Sequence, residues 1–263
     1  MKSSVLSRSA RWAGPVIVLA LLVGVWYLVA HWEDSRDLGY LVPYPHDVWS
    51  SGFADSQTRS DLLSALWQTS QVTLIGLMIA IVIGVVWAMA MAQAKWAEQS
   101  LYPYAVVLQC IPILALVPLI GAMFGYEFRS RIIVTVIIAI FPMVSNTLFG
   151  LQSTERGQRE LFALHQASRF TMLQKLQFKA ALPSMFVGLR TSAGMAVIGA
   201  IVADQFFQRG KGGLGVLIQV SASRLEGPTM WAAMLTAAFL GIAVFLLFGL
   251  LGRLAVGRWH DFS

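Results

Sequence analysis

Charged residues are scarce in this chain of 263 residues. Asp, Glu, Lys and Arg together make up 12% of the sequence, whereas hydrophobic residues make up 57%. Soluble domains carry about 25% charged and about 45–50% apolar residues, and they need polar groups to cover their surface. A soluble globular fold is therefore excluded, and the composition predicts an integral membrane protein.

Residues that hold disulfides, metals or nucleotides are also few. Cys110 is the single cysteine, which excludes an intrachain disulfide framework and a multi-cysteine metal site. The four histidines show no H-x-x-x-H or H-E-x-x-H spacing, and no G-x-x-x-x-G-K-[ST] loop is present. We therefore expect no metal or other cofactor in this chain. The net charge of +6 is not gathered on an amphipathic segment, so no nucleic-acid partner is expected.

Long runs without charge mark the membrane spans. A helix needs about 20 apolar residues to cross a bilayer. Six spans are predicted at about 12–32, 64–93, 101–124, 132–152, 183–207 and 228–252. The first run ends in Trp26, Tyr27 and Trp32, residues typical of a membrane interface, so we interpret it as an uncleaved anchor. Residues 1–263 are predicted to form a single all-α transmembrane domain.

The distribution of positive charge predicts the orientation. With the N-terminus inside, eleven Lys and Arg residues fall in cytoplasmic segments and seven outside, a count that includes Lys2, Arg209 and Arg258 and leaves out Arg190. Cytoplasmic loops retain Lys and Arg. Both termini are therefore predicted to lie in the cytoplasm.

The longest segment on the predicted cytoplasmic side covers residues 155–182. Leu161, Leu164 and Ser168 share one helical face, whereas Arg159 and Arg169 lie on the other. Such a helix could lie on the bilayer surface, dock into a partner's groove or remain a solvated connection.

Several short motifs occur in a recognisable order. Residues 160–168 read E-L-F-A-L-H-Q-A-S, and residues 176–183 read L-Q-F-K-A-A-L-P. Before and after them stand L-V-P-Y-P-H-D-V-W at 41–49, Q-C-I-P at 109–112, F-P at 141–142 and G-L-R at 188–190. Together they resemble binding-protein-dependent ABC importer permeases of the branch that takes up nitrate, sulfonates and taurine. The first two motifs resemble the EAA loop of that family.

The resemblance implies a type I ABC importer permease fold, like that of methionine importers, in the bacterial plasma membrane. The chain would be a transport subunit rather than an enzyme. Its implied partners are two ATPase subunits that bind ATP and Mg²⁺, a second permease chain and an extracytoplasmic substrate-binding protein. The residues implied in ATPase coupling are Glu160, Leu161, Phe162, His165, Gln166, Ala167, Ser168, Ala180, Ala181, Leu182 and Pro183.

The EAA-like loop departs from the family pattern. Leu161 and Phe162 stand at the two alanine positions, Gln166 at the glycine position and Lys179 at the proline position. Glycine permits a positive φ, a freedom that glutamine lacks. Either this chain pairs with a different permease that carries the better loop, or the loop has drifted within the family.

The candidates for the translocation path are Pro112, a proline that kinks its predicted span, and polar residues inside the spans: Gln109, Asn146, Thr147, Arg190 and Ser192. For the uncharged polar residues, interhelical hydrogen bonding is the alternative. Arg190 and Asp204 are 14 residues apart on about the same helical face, and each could instead be wetted near a membrane boundary. The run G-K-G-G-L-G at 210–215 follows a span rather than a strand, so we interpret it as a flexible turn rather than a nucleotide fingerprint.

Three other functions compete with the permease hypothesis. A membrane subunit of an energy-coupling-factor vitamin importer would lack the P-x-P-x-x-V-W segment. An intramembrane enzyme needs converging acid, His or Ser groups, of which the spans offer few. An ATP-independent carrier would not need the cytoplasmic amphipathic segment.

Overall fold

The computed structural model of the chain describes residues 8–207 and 210–257. Lys2, Arg209, Arg258 and His260 lie outside the described residues. The described part is helical and contains no strand. Its helices are α1 (Arg8–Asp34), α2 (Pro45–Asp47), α3 (Ser56–Ala92), α4 (Lys95–Cys110), α5 (Ile113–Phe124), α6 (Phe128–Gln152), α7 (Arg156–Leu164), α8 (Arg169–Met172), α9 (Phe178–Phe206), α10 (Leu214–Ser223) and α11 (Gly227–Val256), with π-helical segments at Val48–Ala54 and Leu173–Gln177.

Within the described residues, five helical stretches are long and apolar enough to cross a membrane. They are Ala13–Asp34, Ser56–Ala92, Phe128–Gln152, Arg169–Phe206 and Gly227–Val256. A bent pair, α4 and α5, brings the number to six if the pair counts as one span. Backbone groups in a bilayer must be satisfied internally, which favours helices of this length. The all-α membrane architecture is confirmed.

The span predicted at 101–124 is not one straight helix. Helix α4 ends at Cys110, α5 begins at Ile113, and the two are bent by 95°. Pro112 lies in the extended backbone between them. Proline lacks an N–H and disfavours helical geometry in the residue before it, so the break follows from the sequence Ile111-Pro112. The expected span at 101–124 is corrected accordingly.

The chain divides into two compact units. The first comprises residues up to Leu63 together with Leu217–Leu235. In it Trp26 and Trp231 stack with ring centroids 4.8 Å apart. Their indole N–H groups donate to the carbonyl oxygens of Pro43 at 3.0 Å and Leu41 at 2.9 Å. The segment between α1 and α2 is therefore held by two hydrogen bonds.

The start of α3 is capped in the same unit. The Asp55 carboxylate accepts a hydrogen bond from the backbone N–H of Thr58 at 2.8 Å. This hydrogen bond lowers the pKa of Asp55 because it stabilises the ionised carboxylate. The cap satisfies one of the N–H groups that the first turn of a helix leaves without a partner.

The second unit, which includes residues 64–216 and the rest of α11 from Thr236, is built around the contact between α6 and α9. A Cβ at Gly188 would lie 2.7 Å from Asn146 Cβ, and a Cβ at Gly199 would lie 3.0 Å from Thr135 Cα. The two helices therefore approach closely through small residues, the usual basis of helix packing in membranes. Around them lie the buried residues Leu77, Ala80, Val144, Leu148, Ala193 and Ala196.

Candidate functional site

The EAA-like segment forms a helix, a tight turn and a second helix. After α7, the N–H of Gln166 donates to Ala163 O at 2.9 Å and the N–H of Ala167 donates to Phe162 O at 3.0 Å. Gln166 has φ +50°. This is a Schellman ending, in which the residue at positive φ is usually glycine. Ser168 is the N-cap of α8, and its hydroxyl accepts a hydrogen bond from the backbone N–H of Thr171 at 3.2 Å.

Three large apolar side chains are exposed on this segment. Leu164 is 81% exposed and Leu161 is 54% exposed, and Phe170 on α8 is 69% exposed. Glu160 and His165 are also exposed, whereas Phe162 and Ala167 are partly buried. Leu161 and Leu164 therefore lie on one helix as predicted and are left uncovered in the second unit. Ser168 does not share their face, because α7 ends at Leu164 and Ser168 caps the next helix.

Arg159 joins α7 to the end of α6. Its Nε donates to Thr154 Oγ1 at 2.5 Å and its Nη2 donates to Gln152 O at 2.9 Å. The guanidinium thus satisfies a carbonyl in the last turn of α6, where a helix favours positive charge. Sequence reasoning treated Arg159 only as part of the polar face. Its side chain fixes the direction of α7 relative to the span before it.

The second half of the EAA-like motif does not lie on this surface. Ala180, Ala181, Leu182 and Pro183 are in the first two turns of α9. Ala181 is fully buried, and a Cβ at Gly150 would lie 2.9 Å from Ala181 Cα. The small residue at position 181 therefore serves the α6–α9 contact.

Replacing Gln166 with glycine is expected to stabilise the turn. A side chain in the left-handed region costs about 1–2 kcal/mol, which glycine avoids. Hydrogen exchange of the α7 amides should slow about fivefold, the factor that corresponds to 1 kcal/mol. Gln158→Gly is the matched control, because the same substitution inside α7 should destabilise the helix by up to about 1 kcal/mol. If hydrogen exchange of the α7 amides changed in the same direction in both variants, the result would contradict backbone strain at Gln166.

Two expected path residues lie at the break between α4 and α5. Gln109 lines a groove of about 360 Å³ with Ile113, Pro142 and Met195 among its neighbours. Pro112 is exposed in the break itself. Irregular backbone at membrane depth is tolerated where it lines a cavity or is covered by protein. The structure therefore places Gln109 in the groove and Pro112 in the break beside it, where Ile111 and Ile113 line the groove.

Three other expected path residues lie between helices. The Asn146 amide Nδ2 donates to Pro142 O at 2.8 Å within α6. Thr147 and Ser192 are fully buried, and their hydroxyl oxygens have no hydrogen-bond partner in the described part of the chain. Interhelical hydrogen bonding, the alternative to a path role, is therefore not formed by Thr147 or Ser192 within the described residues. Their small side chains fit closely packed helices.

Arg190 is exposed on α9, and its guanidinium carbon lies 3.9 Å from the ring centroid of Phe245 on α11. Asp204 is about 21 Å further along α9, at 1.5 Å per residue. The two charges that the sequence places on one face therefore do not pair with each other.

Asp204 pairs instead with Arg131 at the start of α6. Arg131 Nη1 lies 3.2 Å from Asp204 Oδ1, and the two side chains are 2% and 0% exposed. The Thr69 hydroxyl on α3 donates to Asp204 Oδ2 at 2.8 Å. Wetting of Asp204 near a membrane boundary is therefore excluded. Arg131, which the charge count assigns to an outside segment before the span predicted at 132–152, is corrected to a buried residue of α6. A charge buried at membrane depth needs a partner, and α6 begins early enough to supply one.

The same cluster fixes the glycine run that follows α9. Arg131 donates from Nε to Phe207 O at 3.0 Å and from Nη1 to Lys211 O at 2.9 Å. The N–H of Leu214 donates to Thr69 Oγ1 at 2.8 Å. Gly210 has φ +88°, as a turn requires, but Leu214 already begins α10. The run is a turn with a fixed exit rather than a wholly flexible one.

Comparison with known proteins gives a consistent result. Residues 80–260 match the family described as binding-protein-dependent transport system inner membrane component. The chain is 31% identical to the formylaminopyrimidine transport permease protein of Halalkalibacterium halodurans, over 91% of this chain and 93% of the relative. It is 34% identical to the riboflavin transport system permease protein of Chloroflexus aurantiacus, over 64% and 62%. It is 26% identical to the taurine transport system permease protein of Escherichia coli, over 97% and 95%.

Proposed function

Because this chain belongs to the family of binding-protein-dependent transport system inner membrane components, we propose that it is the permease subunit of an ATP-driven importer. The expected family and its nitrate, sulfonate and taurine branch are confirmed. Its relatives are transport permeases, which suits a transporter component without enzymatic activity of its own. The proposed solute is a small molecule delivered by an extracytoplasmic binding protein.

The apolar face of α7 and α8 carries the ATPase-coupling proposal. Leu161, Leu164 and Phe170 are exposed on a segment too polar overall to enter the bilayer. Arg159 links this segment to α6, and α9 follows it directly. A partner that moves α7 would therefore move both helices of the central pair. Rigid-body motion of packed helices is how such transporters alternate access.

The proposed assembly has two permease chains, two ATPase subunits that hold ATP and Mg²⁺, and one binding protein. The excess of Lys and Arg on the α7 side supports a cytoplasmic location for that segment and for both termini. The inner membrane of a bacterium is the proposed location. The second permease is either another copy of this chain or a different one with a stronger EAA loop.

We place the translocation path beside the broken α4–α5 span. Gln109 borders the groove there, and Pro112 lies in the break itself. Broken helices commonly form solute sites at membrane depth in transporters. Asn146 and Thr147 lie on α6 and Ser192 lies on α9, so they would shape the path through the packing of these two helices. Arg190 borders an adjoining groove on the α11 side, which shares Met195 and Ile198 with the first groove.

Leu164→Asp is expected to release the ATPase. The substitution removes an apolar contact of about 1.5–3 kcal/mol, which corresponds to roughly a tenfold to hundredfold weaker complex. The tagged chain is extracted in a gentle detergent, and the ATPase that co-purifies is identified and counted by mass spectrometry.

Gln158→Asp is the control for this experiment. It places the same charge on α7 at another exposed position but removes no apolar surface, so the ATPase should be retained. An unchanged ATPase yield with Leu164→Asp would contradict docking through this face. A monodisperse wild-type preparation without any ATPase would contradict the importer proposal and favour a carrier.

A further inference from the structure

An apolar groove runs along α9 and α11. Its volume is about 580 Å³, which falls in the range of ligand-binding cavities. Arg190 and Thr191 lie at one end, and the other lining residues are apolar or glycine, among them Met195, Ile201 and Ile242. A hydrocarbon chain fits such walls better than a polar solute does.

A second, more polar cleft adjoins the groove at Arg190. Arg190 and Arg253 both line this cleft, together with Phe186, Phe248, Gly249 and Gly252. Both arginines are exposed, and within the described residues neither forms an ion pair. Among residues 8–207 and 210–257, the pair of helices therefore presents two cations without an ion-pair partner at the mouth of the apolar groove.

The depth of Arg190 matches a lipid headgroup boundary. If the end of α9 at Phe206 lies at the outer boundary, Arg190 is about 24 Å below it at 1.5 Å per residue. The hydrocarbon core is about 30 Å thick, which leaves the guanidinium within reach of the opposite boundary. Arg253 is in the last turn of α11, still nearer to that side.

We propose that α9 and α11 bind an anionic phospholipid of the cytoplasmic leaflet. Its phosphate lies between Arg190 and Arg253, and one acyl chain lies in the groove. Basic pockets between membrane helices on the cytoplasmic side suit anionic headgroups. The proposal requires the orientation in which these ends of α9 and α11 are cytoplasmic. It does not require an ATPase or a transported solute.

Charge complementarity favours a lipid over the other occupants of this groove. An apolar helix of a second permease would fill the groove but offer the two guanidinium groups no counter-charge, whereas anionic lipid near the membrane surface contributes about 1 kcal/mol for each Lys or Arg. A soluble anion would neutralise the arginines but leave the apolar walls unfilled. A phospholipid with a negative headgroup would neutralise the arginines and also fill the apolar groove.

The test is native mass spectrometry of the detergent-purified complex, titrated with phosphatidylglycerol and with phosphatidylcholine of identical acyl chains. The wild type should prefer phosphatidylglycerol by about thirtyfold, or about fivefold for each arginine. Arg190→Gln with Arg253→Gln should bind both lipids equally. Lys175→Gln with Lys179→Gln removes two exposed cations outside the cleft and should keep the preference.

A variant that fills the groove tests whether the acyl chain of the lipid lies there. A Cβ at Gly241 would meet only Val197 Cγ1, at 3.8 Å, so Gly241→Leu should fold and weaken both lipids. Equal binding of the two lipids by the wild type, or a preference that survives loss of both arginines, would overturn the proposal. Displacement of the lipid by inorganic phosphate would assign the cleft to a soluble anion instead. Cross-linking of Gly241→Cys to a second permease chain would assign the groove to a subunit interface.

Discussion

Asp204→Asn is expected to be among the most destabilising single substitutions in this chain. The change keeps the shape of the side chain but leaves the buried Arg131 guanidinium without its counter-charge. Removing one partner of a buried ion pair costs about 3–5 kcal/mol. The loss should appear as a lower temperature at which the detergent-extracted protein ceases to be monodisperse.

Removing both charges should recover much of this loss. In Arg131→Met with Asp204→Asn, no unpaired charge remains in the apolar interior, so the double variant should be more stable than either single one. Asp61→Asn is the control, because Asp61 is exposed and its loss should change stability by about 0.5 kcal/mol or less. If the double variant were as unstable as the sum of the two singles, the pair would not be the source of the effect.

The membrane architecture was predictable because the bilayer restricts the secondary structures that a spanning segment can adopt. Apolar runs between charges locate the spans, since a chain in lipid must satisfy its own backbone hydrogen bonds. Pro112 indicated a kink, and the structure shows a bend of 95°. A proline removes one hydrogen bond and excludes local helical geometry, but the angle that results is set by how α5 packs against α6.

The buried ion pair was missed for a physical reason. Arg131 stands at the edge of an apolar run, where an arginine usually snorkels toward water. Its burial depends on Asp204, 73 positions later, and on the backbone carbonyls of Phe207 and Lys211. These contacts arise only when α6, α9 and the glycine run come together. The hydropathy pattern along the chain therefore does not predict contacts between residues so distant in sequence.

The position of the candidate coupling segment and its apolar face were predicted better than the contacts of its individual residues. Helical periodicity indicated the exposed face of Leu161 and Leu164, because spacing alone determines which side chains share a face. The family's glycine position indicated a left-handed residue, and Gln166 has φ +50°. The burial of Ala181 against Gly150 was not foreseen, since a small residue in a loop motif gives no sign of the helix it will touch.

Gly188→Leu should separate α6 from α9 and have the second large effect. A Cβ at this position would lie 2.7 Å from Asn146 Cβ and 3.0 Å from the Pro142 carbonyl oxygen. The backbone of α6 cannot retreat without disturbing the close contacts at Gly150 and Gly199. Overpacking of a tight core costs about 1–3 kcal/mol and occasionally more, and we expect about 3 kcal/mol here.

Gly194→Leu provides the matched control on the same helix. A Cβ at Gly194 would meet nothing within 4 Å, so the same substitution should fold and remain monodisperse on heating, whereas Gly188→Leu should not. Equal behaviour of the two variants would mean that the α6–α9 contact does not limit stability. The contrast matters for function because this contact joins the helix before the coupling segment to the helix after it. If α6 and α9 move as one body, a variant that loosens them should still bind the ATPase through Leu164 yet lose solute uptake.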